Sequence, residues 1–107
     1  MARFESPRSI APERVRRRPS ALVLDVREYG ARGSAPFRNV LRIAMSDLSD
    51  RLLELPHETL HIVCEDGLKS RRVASYLEGQ GFEAVVVAGG LLASSRDEDI
   101  ASGLAAL

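Results

Sequence analysis

Four short apolar runs recur along this chain, "ALVLDV" (21–26), "VLRI" (40–43), "LHIVC" (60–64) and "EAVVVAG" (83–89). They are too short for core helices, rich in Val, Ile and Leu, and lack a polar face. That pattern reads as strands buried on both sides. Helical patterns fall around them. "SIAPERVRRRPS" (9–20) reads as a short helix with Ser9 as a candidate cap, Pro12 in its first turn and Pro19 ending it. "SDLSDRLLEL" (46–55) reads as a helix capped by Ser46 or Asp47, with Leu48, Leu52 and Leu53 on one face and Pro56 closing it. "SRRVASYLEGQG" (70–81) places Val73 and Leu77 four apart and ends near Gly79 or Gly81. "YGARGSAPFRN" (29–39) is a loop, and "LLASSRDEDIASGLAAL" (91–107) reads as one or two helical turns with a frayed end. Strands alternating with helices dictate an α/β domain with a mostly parallel sheet and helices on both sides. In such sheets ligands bind beyond the carboxyl ends of the strands.

A length of 107 residues fits one domain, 1–107, with 45% apolar and 28% charged residues. A formal net charge of zero argues against whole-surface attraction to nucleic acid or an anionic membrane. No apolar run approaches the roughly 18 residues of a membrane span, and the N-terminus lacks the apolar core of a secretory signal. The arginines of "PERVRRRP" (Arg14, Arg16, Arg17, Arg18) read as a solvated helix face. With one Cys and two His there is no internal disulfide and no zinc-ligand spacing, so neither metal nor cofactor is expected. A reducing compartment, the cytoplasm, suits a lone thiol.

That thiol, Cys64, stands at the carboxyl end of the third run, followed by "EDGLKS" and a helix. The first amides of a helix lack internal partners and, with the helix dipole, favour an anion beside them. Gly67 permits a backbone turn that aims amides inward. Ser70 is placed to cap the helix and donate to sulfur. Lys69, the only lysine in the chain, adds positive charge. A strand-end Cys is also a common inert core residue. The Gly, Lys and Ser at these offsets favour a nucleophile, with the six main-chain donors of residues 65–70 curled around its sulfur.

"CEDGLKS" (64–70) resembles the active-site loop of rhodanese-like domains, a Cys-x-x-Gly-x-Arg/Lys-Ser pattern. "LVLDVREY" (22–29) is similar to the family's Leu-Ile-Asp-Val-Arg-Glu segment, "AMSDL" (44–48) to the start of its next helix, and "VVVAGGLLA" (85–93) to its Gly-Gly segment. The resemblance covers about residues 9–94, leaving 95–107 as a tail. It implies a three-layer α/β/α fold with a mostly parallel sheet, and a sulfurtransferase that acts through a Cys64 persulfide. The Cys64 thiolate would take the outer sulfur of thiosulfate or a similar donor, releasing sulfite, and pass it to cyanide or a thiol. Glu65, Asp66, Gly67, Leu68, Lys69 and Ser70 would line the substrate site with Arg27, and Asp25 would give structural support; for Asp25 and Arg27, which match the family's Asp-x-Arg, fixing nearby loops by hydrogen bonds and ion pairs outweighs a substrate role. The expected partners are the small donor and acceptor and a sulfur-relay protein, with neither nucleic acid nor membrane.

The chain departs from the family at three places. Glu65 and Asp66 put carboxylates beside the nucleophile, where they disfavour a thiolate and repel an anionic donor. Ser34 and Phe37 occupy the family's His and Gly positions around Pro36. Ser94 stands where a Trp is usual. Two other readings are a non-catalytic binding module and a persulfide carrier in a relay. A phosphatase or arsenate reductase would need Arg six places after Cys64, where Ser70 stands, with Arg71 one later.

Overall fold

The computed structural model describes residues 8–31, 33 and 35–91. Five strands, Ser9–Ile10 (β1), Leu22–Asp25 (β2), Asn39–Arg42 (β3), Leu60–Val63 (β4) and Ala84–Val87 (β5), form a sheet in the order β1-β5-β4-β2-β3. Every pairing among the described residues is parallel, with Leu22 opposite both Asn39 and Leu60, and Leu60 opposite Ala84. Among the described residues the α-helices Pro12–Arg16 (α1) and Leu68–Gly79 (α2) cover opposite faces.

The two-residue strand period divides the core. Leu24, Ile62 and Val86 face Val73 and Leu77 of α2, together with Leu48. Val23, Val63 and Val87 face Val15 of α1 and Leu91. Each fully buried Val, Leu or Ile contributes about 1.5–3 kcal/mol of transfer free energy. The result is the expected α/β fold with an all-parallel central sheet. Among the described residues no helix is long and apolar enough to cross a membrane.

The elements depart from the periodic reading in three places. Ser9 does not cap a helix: with Ile10 it forms an edge strand, and α1 begins at Pro12 with Ala11 as its cap. The amides of Val86 on β5 and of Ala88 just past it need acceptors, and the carbonyls of Arg8 and Ile10 supply them at 2.8 Å each. Residues 46–55 form two 3-10 helices, Met45–Asp50 and Leu52–Glu54, rather than one α-helix. Ala44 is the first cap, and Ser46 instead gives its amide and hydroxyl to Glu28 at 3.0 and 2.7 Å. The break at Arg51 turns Leu53 fully to solvent while Leu48 stays buried. β3 is an edge strand and only partly buried, so "VLRI" is not apolar on both faces in the sense expected. Residues 92–107, including the tail and Ser94, lie outside the described residues, as does Ser34.

The far end of α2 closes by a Schellman motif. Gly81, at φ +92°, follows the Gln80 cap; its amide reaches the Glu78 carbonyl at 3.1 Å and that of Phe82 the Leu77 carbonyl at 2.9 Å. Phe82 thereby packs on the α2 side of the core. Near the start of β4 and β5, Thr59 and then Arg8 hold the Glu83 carboxyl below the usual carboxylate range, at 2.9 and 3.3 Å. A depressed acid contributes stability above its unfolded pKa, and the contribution fades as pH falls through the folded value.

Replacing Gly81 by Ala forces an L side chain into the left-handed region and should lower stability by about 1–2 kcal/mol. A reduced urea midpoint at unchanged m-value would register it.

Candidate active site

Cys64 is carried to the carboxyl edge of the sheet by β4, one residue past Val63. Its side chain joins the apolar cluster under α2 and is 0% exposed. The sulfur is nevertheless not in a purely aliphatic setting. The Gly67 amide donates to Sγ at 3.1 Å and the Ser70 amide at 3.3 Å. Gly67 is the N-cap of α2 at φ +93°, so both donors belong to the first turn, whose amides have no helical acceptor. The dipole of this 12-residue helix points its positive end at the same atom.

The ring of six donors contracts to these two among the described contacts. The Leu68 amide, free like the others of the first turn, donates instead to Asp66 Oδ1 at 3.0 Å. Asp66 Oδ1 in turn accepts from the Cys64 thiol at 4.0 Å. Ser70 does not cap the helix, since Gly67 holds that position without side-chain help. The Ser70 amide, not its hydroxyl, meets sulfur. Its Oγ is buried with no hydrogen-bond partner.

The other loop residues lie nearer the solvent, although Asp66 keeps Oδ1 beside the sulfur. Glu65 and Asp66 are exposed, Leu68 is 69% exposed and Lys69 is half-buried. With Arg72 they surround an open hollow of about 420 Å³.

Arg27 is engaged elsewhere. It is 7% exposed and folded onto Asp25, which it meets through Nε at 3.1 Å and Nη2 at 2.9 Å, and its Nη2 also donates to the Gly33 carbonyl at 2.7 Å. This buried pair secures the loop after β2. His57 is exposed and stacks on Phe82; His61 is buried in β4 with Nδ1 2.9 Å from the Leu22 carbonyl. No cluster of candidate metal ligands occurs among the described residues. Of the arginine cluster, Arg14, Arg17 and Arg18 are exposed and Arg16 lies over the Phe37 ring at 5.7 Å. Arg71 is exposed on α2, so no arginine of that helix enters the loop at the place a phosphatase would need it.

Gly90, which no local signal ties to Cys64, also shapes the site. The Leu91 amide donates to the Cys64 carbonyl at 2.7 Å. A Cβ on Gly90 would lie 2.5 Å from that carbonyl oxygen, 2.8 Å from the Gly67 nitrogen and 2.9 Å from the Asp66 nitrogen. The Gly-Gly after β5 is therefore a backing plate against which the Cys64 loop is shaped. The glycine pair was visible in the sequence, but its neighbour across the sheet was not.

No family model matches the chain. It is 31% identical over 72 residues to "Putative sulfurtransferase YtwF" of Bacillus subtilis (strain 168), covering 66% of this chain and 70% of that protein. Among solved structures, a rhodanese homologue from the extremely thermophilic bacterium Thermus thermophilus superposes with TM-score 0.69 at 34% identity, over 80% of this chain and 99% of that one. A rhodanese-like domain protein from Staphylococcus aureus gives TM-score 0.73 at 32% identity, over 80% and 89%. An NAD-dependent persulfide reductase from A. fulgidus gives 0.67 at 27% identity, over 79% of this chain and 15% of that one. An α/β domain with a cysteine held at a helix N-terminus is the class that fold and site define. The chain belongs to the rhodanese-like family.

Two substitutions test the site. Gly90→Ala should slow iodoacetamide labelling or sulfur loading of Cys64 by about ten- to a hundredfold, the scale expected for displacement of a positioned group. Gly30→Ala, equally left-handed at φ +88° but with nothing within 4 Å, should leave those rates near wild type. Arg27→Met strands the Asp25 charge and should cost about 3–5 kcal/mol in urea unfolding.

Proposed function

We propose that this protein is a sulfurtransferase that carries a sulfane sulfur as a persulfide on Cys64. The observation that carries the reading is the convergence of the Gly67 and Ser70 amides on Sγ beside the unpartnered Ser70 hydroxyl. Two amides at a helix N-terminus stabilise negative charge on sulfur. A buried hydroxyl without a partner is costly unless something arrives to accept from it. The outer sulfur of a persulfide, one bond beyond Sγ, is such an acceptor.

In the first step the Cys64 thiolate attacks the sulfane sulfur of a donor. With thiosulfate, an Sγ–S bond forms, the donor S–S bond breaks, and its electron pair leaves on sulfite. In the second, a thiolate or cyanide attacks the outer persulfide sulfur, and the Sγ–S pair returns to Cys64 as thiolate. The charges balance in both steps and no external oxidant is needed. This is the thiosulfate:cyanide class of reaction, and its two half-reactions make a ping-pong cycle. The similarity to a protein named as a sulfurtransferase supports the transferase reading. A single cysteine that must return to its thiol suits a reducing compartment such as the cytoplasm.

Incubation with excess thiosulfate or 3-mercaptopyruvate should add one sulfur to the intact mass, and cyanide should remove it as thiocyanate. Cys64→Ser should abolish the gain. A wild-type mass unchanged with every donor, including preformed organic persulfides, would overturn the reading.

A further inference from the structure

Both signs of charge surround the hollow beside the Cys64 loop. Asp66 is not a free surface carboxylate: its Oδ1 is fixed by the Leu68 amide at 3.0 Å and stands 4.0 Å from Sγ. It is the carboxylate that lies beside the sulfur among the described contacts. The hollow outside it carries a second acid, Glu65, and two cations, Lys69 and Arg72. None of these four groups forms an ion pair with another among the described contacts. Two anions and two cations facing one hollow, uncommitted to each other, leave both signs available to a ligand.

Resting on the sulfurtransferase reading above, we propose that Asp66 sets donor selectivity: it disfavours inorganic thiosulfate and favours a small zwitterionic organic persulfide, an amino-acid or short-peptide persulfide with an ammonium group near the sulfur. Thiosulfate brings two negative charges toward a fixed carboxylate and a developing persulfide anion, and like charges so close repel. An amino-acid persulfide brings an ammonium for Asp66 or Glu65 and a carboxylate for Lys69 or Arg72. A hollow of about 420 Å³ accommodates a molecule of that size. The transfer is an exchange: Cys64–S⁻ attacks the terminal sulfur of R–S–SH, the Sγ–S bond forms, the donor S–S bond breaks, and R–S⁻ leaves with the electron pair. The proton stays on the transferred sulfur, and no atom changes ownership beyond that SH group.

The test is the initial rate of sulfur gain on Cys64, by intact mass, with three donors: thiosulfate, cysteine persulfide and N-acetylcysteine persulfide, which lacks the ammonium. Wild type should prefer cysteine persulfide to both others. Asp66→Asn keeps an oxygen for the Leu68 amide and removes the charge. It should raise the thiosulfate rate and shrink the cysteine-to-thiosulfate ratio by about tenfold, with Glu78→Gln on the exposed side of α2 leaving that ratio unchanged. Independently of any variant, added salt should accelerate wild-type loading from thiosulfate, since screening weakens the repulsion. Equal ratios in wild type and Asp66→Asn, or thiosulfate loading slowed by salt, would overturn the selectivity proposal while leaving the transferase reading intact. Loading from none of the three donors would overturn both.

Discussion

Everything at the carboxyl edge of this sheet depends on one close backbone approach. Gly90, after β5, lies so near the Cys64 carbonyl and the Asp66 and Gly67 amides that no side chain fits between them. The Leu91 amide binds that carbonyl, which ties the exit of β4 to the exit of β5. Held there, the chain must turn sharply after Cys64, and Gly67 makes the turn at φ +93°. The helix then begins with its free amides facing the sulfur it has just passed. The convergence of amides on the sulfur is thus a consequence of neighbouring parallel strands ending at the same level.

The adjacent strand end is secured differently. β2 pairs with β4 so that Asp25 lies opposite Val63, and the Val26 amide donates to the Val63 carbonyl at 3.0 Å. Asp25 is 1% exposed and would be a costly charge alone; the Arg27 guanidinium and the Arg27 amide compensate it. Arg27 also holds Gly33, so one ion pair joins the strand end to the loop beyond. The two motifs that resemble the family's, Asp-x-Arg and the cysteine loop, therefore serve unlike ends. One fixes the backbone around the site, and the other presents the sulfur.

Opposing charges near the sulfur give the site its particular character. The helix N-terminus favours negative charge on Sγ, and the Asp66 carboxylate opposes it from 4.0 Å. A thiol between such influences responds to the charge of whatever approaches. Burial sharpens this, because Sγ lies out of solvent where screening is weakest.

The alternation of "ALVLDV", "LHIVC" and "EAVVVAG" with helical segments was enough to read a parallel α/β sheet, because strands buried on both faces must be apolar throughout and sequential parallel strands need crossovers. The position of Cys64 at a strand end, with Gly67 before a helix, was legible for the same local reason. Less was legible where a residue's partner is remote in sequence. Ser9 and Ile10 became a strand because β5 offers unpaired amides, and Ser46 left its expected cap to bind Glu28. Local periodicity and spacing, which a chain carries in its own order, determined the elements and the candidate nucleophile. Tertiary structure alone decided which amides reach the sulfur, which carboxylate stands beside it and which glycine shapes the loop, because those contacts join segments that only folding brings together.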